Sequence, residues 1–131
     1  MEIRTSLAVA LMERMNELKK KKLPARLSYA INRNMHALAD ICSSFDQERQ
    51  KLILQYAKKD ESGEVCADKN GKIEWEDADA FNRAIREILA EEETVSFRQV
   101  GPDILDMCDE GRYDPLTPED MEALSYMIEE V

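Results

Sequence analysis

Apolar residues recur at three- and four-residue steps from the start of the chain. In "TSLAVALMERMNELKKKKL", Leu7, Leu11, Met15 and Leu18 fall on one stripe, the spacing of an amphipathic helix. Thr5 or Ser6 stands where a helix cap belongs. Lys19 to Lys22 stand near the end, where positive charge offsets exposed carbonyls, and Pro24 stops the helix. Pro24 also suits the opening of a second helix, since its missing N–H costs nothing in the first turn. From Ala25 to about Lys59 there is no glycine or proline, while Leu27, Ile31, Leu38, Ile41, Phe45, Leu52 and Tyr56 keep helical spacing. At 1.5 Å per residue such a helix runs about 50 Å, further than the first helix can cover. The rest of it must pack on the C-terminal half or on another copy, which leaves a homodimer open.

Further along, the pattern shortens. Asp60-Glu61-Ser62-Gly63 breaks the long helix, and "EVCA" and "KIEW" flank Asp68-Lys69-Asn70-Gly71, the local recipe for a β-hairpin. Asp77 caps a third helix with Phe81, Ile85 and Ile88 or Leu89 on its apolar face. "TVSFRQV" alternates Val95, Phe97 and Gln99 against Ser96, Arg98 and Val100, the pattern of a short edge strand. After Gly101-Pro102, Asp103 starts a brief helix through Ile104, Leu105 and Cys108. "TPEDMEALSYMIEE" opens with Thr117 as cap and Pro118 in the first turn, with Met121, Leu124 and Ile128 on its buried side. No internal repeat is evident. The expected fold is mainly α (α+β): a long antiparallel helical hairpin with a small β-hairpin and short C-terminal helices. It forms one domain, with the helical hairpin in 1–59, the β-hairpin, helix and edge strand in 60–100, and a helical segment in 101–131.

Charge adds an asymmetry to this architecture. The net charge is −10, but residues 1–60 carry 12 Lys and Arg against 7 Asp and Glu, and residues 61–131 carry 6 against 21. The first part concentrates Lys20, Lys21, Lys22, Arg26 and Arg33 around Tyr29, a basic patch with an aromatic for stacking. The acidity of the other half argues against direct nucleic-acid binding, and a solvated corner answering acids on a partner fits better. The acidic array includes Glu91, Glu92, Glu93, Asp106, Asp109 and Glu110. Such an array could imitate a phosphate backbone, because a basic groove is filled by the same charge neutralisation.

Candidate chemistry is sparse. Aligned as a calcium loop, Asp68, Asn70 and Gly71 hold ligand and glycine offsets, but position one falls on Cys66 and position twelve on Asp77. A thiol is a poor ligand for a hard cation, so the hairpin turn is the better reading. His36 has Asp40 one turn later and no evident third ligand. Cys42, Cys66 and Cys108 make neither a CxxC pair nor a disulfide framework. No phosphate loop, nucleophile elbow or HExxH occurs, so no catalytic residue, metal or cofactor is expected. Basic residues near the start precede no apolar core of a signal peptide, and no run reaches the roughly 20 apolar residues of a membrane span. A soluble, intracellular chain is expected.

A resemblance adds a setting. "LPARLSYAINRNMHAL", "FDQERQKLILQYAKKDESGEV", "DKNGKIEW" with "FNRAIREILAEEETVSF", and "LTPEDMEALSYMIEE" follow in that order. This succession resembles small uncharacterised proteins of tailed bacteriophages and prophages of Gram-positive bacteria. The resemblance covers nearly the whole chain but rests on turn and core residues, and it implies no catalytic residue. It implies a phage-encoded protein in the cytoplasm of the bacterial host. Three functions follow as expectations. The first is a non-enzymatic accessory protein that binds a phage structural or host-defence protein, using the apolar stripe of the second helix with Met35 and Tyr29. The second is an acidic mimic that blocks a CRISPR-type or other nucleoprotein defence. The third is a protein that sequesters a nucleotide messenger through Lys20 to Lys22, Arg26 and Arg33.

Overall fold

The computed structural model describes residues 1–129; Glu130, the end of the stretch expected to be helical from Thr117, lies outside them. The fold is mainly α with a small β component. In order the elements are β1 (Glu2–Arg4), α1 (Thr5–Leu18), α2 (Ala25–Tyr56), α3 (Ala78–Leu89), β2 (Glu92–Thr94), α4 (Asp103–Cys108) and α5 (Pro118–Leu124). The chain divides into two compact units. One comprises Met1–Cys42 and the chain from Glu92 onward, and the other comprises Ser43–Glu91. The division falls inside α2.

In the first unit α1 buries Ala8, Leu11, Met15 and Leu18 and half-buries Leu7, as its spacing predicts. Its start differs from expectation. The cap is Arg4, extended and without a side-chain cap bond, and Thr5 is buried inside the first turn. The reason is β1, which runs straight into the helix and leaves its last residue in the cap position. The lysines stand at its end as expected: the helix ends at Leu18 and Lys19 is its C-cap, so the last turn itself holds no basic residue.

Pro24 immediately precedes α2 and accepts a 3.0 Å hydrogen bond from Ser28 N–H. Within this unit α2 buries Leu27, Ala30, Ile31, Asn34 and Leu38. Its antiparallel course against α1 shows in Cys42, well down α2, whose Sγ lies 3.7 Å from the Ala8 carbonyl near the start of α1.

β1 and β2 pair antiparallel, with Glu2 opposite Thr94, Ile3 opposite Glu93 and Arg4 opposite Glu92. The expected edge strand therefore forms earlier than "TVSFRQV". Val95 and Val100 are buried, but among the described residues Val100 makes a single parallel bridge, to Ile128. Asn34 holds the intervening segment. Its side-chain oxygen accepts from Arg98 N–H at 2.7 Å and its Nδ2 donates to Arg98 C=O at 3.1 Å. A buried amide thus satisfies a backbone pair as a neighbouring strand would.

α4 contributes Ile104 and Cys108 to the core, and α5 contributes Ala123 and Leu124. Helical geometry stops at Leu124, short of the expected length. Past that point the helical spacing no longer applies, so Met127 is fully buried and Ile128 only partly; within the helix the buried side is Asp120, Ala123 and Leu124, and Met121 is 40% exposed.

The second unit contains the end of α2, two turns and α3. Asp77 caps α3 as expected, accepting from Ala80 N–H at 3.0 Å. Phe81 stacks on Trp75 with ring centroids 4.2 Å apart. The two turns overturn the expectation that the chain has no internal repeat. Asp60 Oδ1 accepts from Ser62 and Glu64 N–H, and eight residues on Asp68 Oδ1 accepts from Asn70 and Lys72 N–H. Gly63 and Gly71 take φ of 82° and 79°. Lys58, Cys66 and Glu74, again at eight-residue steps, close a ring of backbone bonds: Cys66 N to Lys58 O, Glu74 N to Cys66 O, and Lys58 N to Glu74 O. The pairing is a set of single bridges, Lys59–Val65, Ala67–Ile73 and Ala57–Trp75, rather than one ladder.

The quoted Asn-Gly stretch is therefore a turn held by its own carboxylate. Only its glycine is left-handed, since among the described residues positive φ occurs at Gly63 and Gly71 alone. A Cβ at Gly71 meets nothing within 4 Å, so the strain of Gly71→Ala is purely conformational. We expect a loss of about 1 kcal/mol, read from chemical denaturation, with Gly63→Ala matching it.

Candidate functional site

The basic stretch after α1 meets the acidic C-terminal segment within the same unit. Lys21 Nζ donates to Asp120 Oδ2 at 2.7 Å and to the Pro115 carbonyl at 2.8 Å. Lys22 and Asp114 exchange two bonds: Lys22 N–H donates to the Asp114 carboxylate, and Asp114 N–H donates to Lys22 C=O. Arg26 pairs with Asp103 at 3.1 Å, both being well exposed, and also approaches Met107 Sδ. Lys20 pairs with Glu17 of α1 at 3.3 Å. Tyr29 is 53% exposed and carries the Arg98 guanidinium 4.9 Å over its ring, while Arg33 is exposed. Much of the positive charge near residue 20 thus answers acids of its own chain.

Asp120 is the centre of that arrangement. Thr117 caps α5 by accepting from Asp120 N–H, and the Asp120 carboxylate accepts from Thr117 N–H, the reciprocal capping box. The same carboxylate, 2% exposed, holds Lys21 and lies 3.7 Å from Arg14. Burial pushes the Asp120 carboxyl up. The hydrogen bond from Lys21, the bonds with Thr117 and the charge of Lys21 outweigh it and hold the group below the usual aspartate value.

The other acids stay at the surface. Glu92 and Glu93 lie on β2, and Glu91 precedes them; Asp106 and Asp109 are exposed, and Glu110 pairs with Arg112 at 2.9 Å. Lys19, Lys20 and Tyr29 share a shallow depression of about 620 Å³ with Ala25, Ser28 and Asn32. Lys22, Arg26 and Arg33 do not line it.

A larger groove runs between α1 and α5, with a volume of about 750 Å³. Leu7, Ala10 and Leu11 of α1 face Ala123 of α5 and Tyr126 just beyond it. Glu13, Glu17, Glu119 and Glu122 edge it, together with Arg14 and Asn16. α1 presents 7, 10, 11, 14 and 17 and α5 presents 119, 122 and 123 by their own periodicity, and Tyr126 joins them from just past the end of α5. Glu17 pairs with Lys20, and the remaining three carboxylates, against one guanidinium that itself leans on Asp120, leave the edges negative. Sequence reasoning missed this groove. Glu119 and Glu122 were legible only as members of a long acidic array, and nothing local ties them to residues a hundred positions earlier.

Reactive groups are dispersed. His36 is exposed on α2, and among the described residues no group of three His, Cys, Asp or Glu side chains could hold a metal ion. Cys108 is buried in the core. Burial, helped by the charge of Asp109, pushes its thiol up, so it stays protonated at neutral pH. No family model, curated protein or solved structure matches the chain. Among the described residues no helix is long and apolar enough to cross a membrane.

Proposed function

We propose that the chain is a non-catalytic accessory protein of a tailed bacteriophage or prophage, acting in the host cytoplasm by binding another protein. Its partner belongs to particle assembly or to a host-defence complex. The observation that supports protein binding is the groove between α1 and α5: an apolar floor left open between two helices and edged by carboxylates. Such a surface offers area and charge to a macromolecule and presents no paired acid, base or nucleophile. The phage setting rests on the resemblance of the sequence.

The acidic-mimic reading draws on the exposed Glu92, Glu93, Asp106 and Asp109, but Asp103 and Asp120 answer Arg26 and Lys21 internally, and Asp114 is held by the backbone N–H of Lys22. That leaves a shorter array for a nucleic-acid channel. Messenger sequestration loses Lys21 and gains little from Arg26, for the same reason.

The test is capture of the tagged chain from infected cells at low and high salt, followed by reconstitution of the complex from purified components. The expected result is a stoichiometric complex with one protein that survives moderate salt through its apolar contacts. A complex that dissolves wholly on screening returns the mimic reading. Stabilisation by nucleotides in a thermal-shift screen, with no protein complex, overturns the proposal.

A further inference from the structure

Resting on the protein-binding reading, we infer that the α1/α5 groove receives a basic amphipathic helix from the partner. Its apolar stripe lies on Leu7, Ala10 and Tyr126, above the buried Leu11 and Ala123, and its Lys or Arg side chains face Glu13 on one edge and Glu119 and Glu122 on the other.

Three features of the groove select this occupant. The first is shape. The α1 wall from Leu7 to Glu17 is eleven residues long, about 15 Å or nearly three turns. It runs beside a second helix, so the surface is a trough matched to another helix. The second is the floor. Ala10 and Ala123 are small and sit between Leu7, Leu11 and Tyr126, giving shallow seats for apolar side chains spaced three or four apart. The third is charge. Glu13 on one edge and Glu119 and Glu122 on the other are exposed carboxylates, Glu17 already holds Lys20, and the one lining cation, Arg14, lies 3.7 Å from Asp120. A flanking row of partner cations is therefore attracted from both sides, and an acidic helix is repelled. A second copy of this chain fits less well, because its exposed lysines at 19, 20 and 22 cluster at the end of the same α1 that forms the wall.

The probe is a fluorescently labelled synthetic helix of leucine and arginine with leucines at three- and four-residue steps. Its control is a scrambled isomer of the same composition and charge, and binding is measured on the full chain by anisotropy. The striped peptide is expected to bind at least about tenfold tighter than the isomer. Ala10→Trp, which fills the floor, and the double variant Glu13→Lys with Glu122→Lys, which reverses one charge on each edge, are each expected to lower that affinity by about tenfold or more. All three altered residues are exposed, so the fold should be retained, as checked by circular dichroism. Amide shift changes on adding the peptide should concentrate on α1 and α5.

Equal binding of the two isomers, undiminished binding by the variants, or shift changes centred on Glu92–Glu93 or Asp106–Glu110 would overturn the assignment. So would light scattering that shows a dimer dissociated by Ala10→Trp, since a second copy then covers the groove. If a natural partner isolated by capture binds the Ala10→Trp chain unchanged, the groove assignment fails while the protein-binding function stands.

Discussion

Asp120→Ala is expected to lower the folding free energy by about 3 kcal/mol, which in a chain of this size moves the melting temperature by roughly 10 °C. The estimate is built from the bonds of one carboxylate. A charge-assisted hydrogen bond such as that from Lys21 contributes about 1.5–3 kcal/mol, and a helix cap about 1 kcal/mol. The carboxylate is buried, whereas Lys21 and Arg14 keep 26% and 39% exposure. The stranded cations can therefore return to water, which keeps the loss below that of a fully enclosed pair. Asp120→Asn retains an acceptor for Thr117 N–H and should cost about half as much. The same residue sets a pH dependence. Its folded-state value is lowered, so between that value and the unfolded one, near 3.9, the unfolded chain binds more protons. The stabilisation is complete above the unfolded value and fades as pH falls through the folded one. Wild-type chain should lose stability below about pH 4, and Asp120→Asn should lack this component. Urea midpoints measured from pH 3 to 7 check both. A change under about 1 kcal/mol for Asp120→Ala would show that the surface around Lys21 does not depend on it.

The path from sequence to structure was open where periodicity persists and closed where partners are distant. α1 and α2 repeat their apolar stripe over several turns, so Leu11, Met15, Leu27, Ile31 and Leu38 could be placed in the core without tertiary information. Thr117-Pro118 and Asp77 are cap signatures that act within three residues, and both hold. β1 and β2 have three residues each with one buried side chain between them, too little to show a period. The eight-residue repeat was readable in Asp60 and Asp68, Gly63 and Gly71, and Val65 and Ile73. Opposite charges at Glu61 and Lys69, and again at Glu64 and Lys72, disguised it. Asp120 shows the other limit. An acid in the first turn of a helix looks the same whether it faces water or Lys21, and only the packing of α1 against α5 brings residues 21 and 120 together.

That packing also explains why the charge asymmetry between the two halves of the chain misleads about partners. Positive charge near residue 20 and negative charge near residues 103–120 read as two surfaces waiting for other molecules. They are largely each other's neighbours: three ionic or carboxylate contacts, at Lys21, Lys22 and Arg26, tie the C-terminal segment to the α1–α2 junction. What stays unanswered is the acidity on the edges of the groove, where Glu13, Glu119 and Glu122 are exposed beside apolar floor. A partner is read better from uncompensated charge next to open apolar surface than from net charge.

Asn34→Leu should cost about 3 kcal/mol although it leaves no cavity and adds apolar surface to a core position. Leucine has the same branched skeleton with bulkier methyl ends, so overpacking adds to the loss. Asn34 is 1% exposed and supplies both an acceptor for Arg98 N–H and a donor for Arg98 C=O. Its Nδ2 also lies 3.5 Å from Met127 Sδ. Removing the amide strands two backbone groups in a partly buried position, at about 1–3 kcal/mol for each group left unsatisfied. Asn34→Asp separates the two contributions. The Oδ acceptor remains, but the donor to Arg98 C=O becomes a second acceptor facing it, so the variant should also be destabilised, and more strongly as pH rises and the carboxyl ionises. Hydrogen exchange locates the damage: Arg98 N–H should lose protection in both variants, most in Asn34→Leu, while Val100 N–H, bonded to Met127 C=O at 2.8 Å, should follow only partly. If Asn34→Leu proved as stable as wild type, the segment from Val95 to Val100 would be held by Val95 and Val100 in the core alone, and the buried amide would be dispensable.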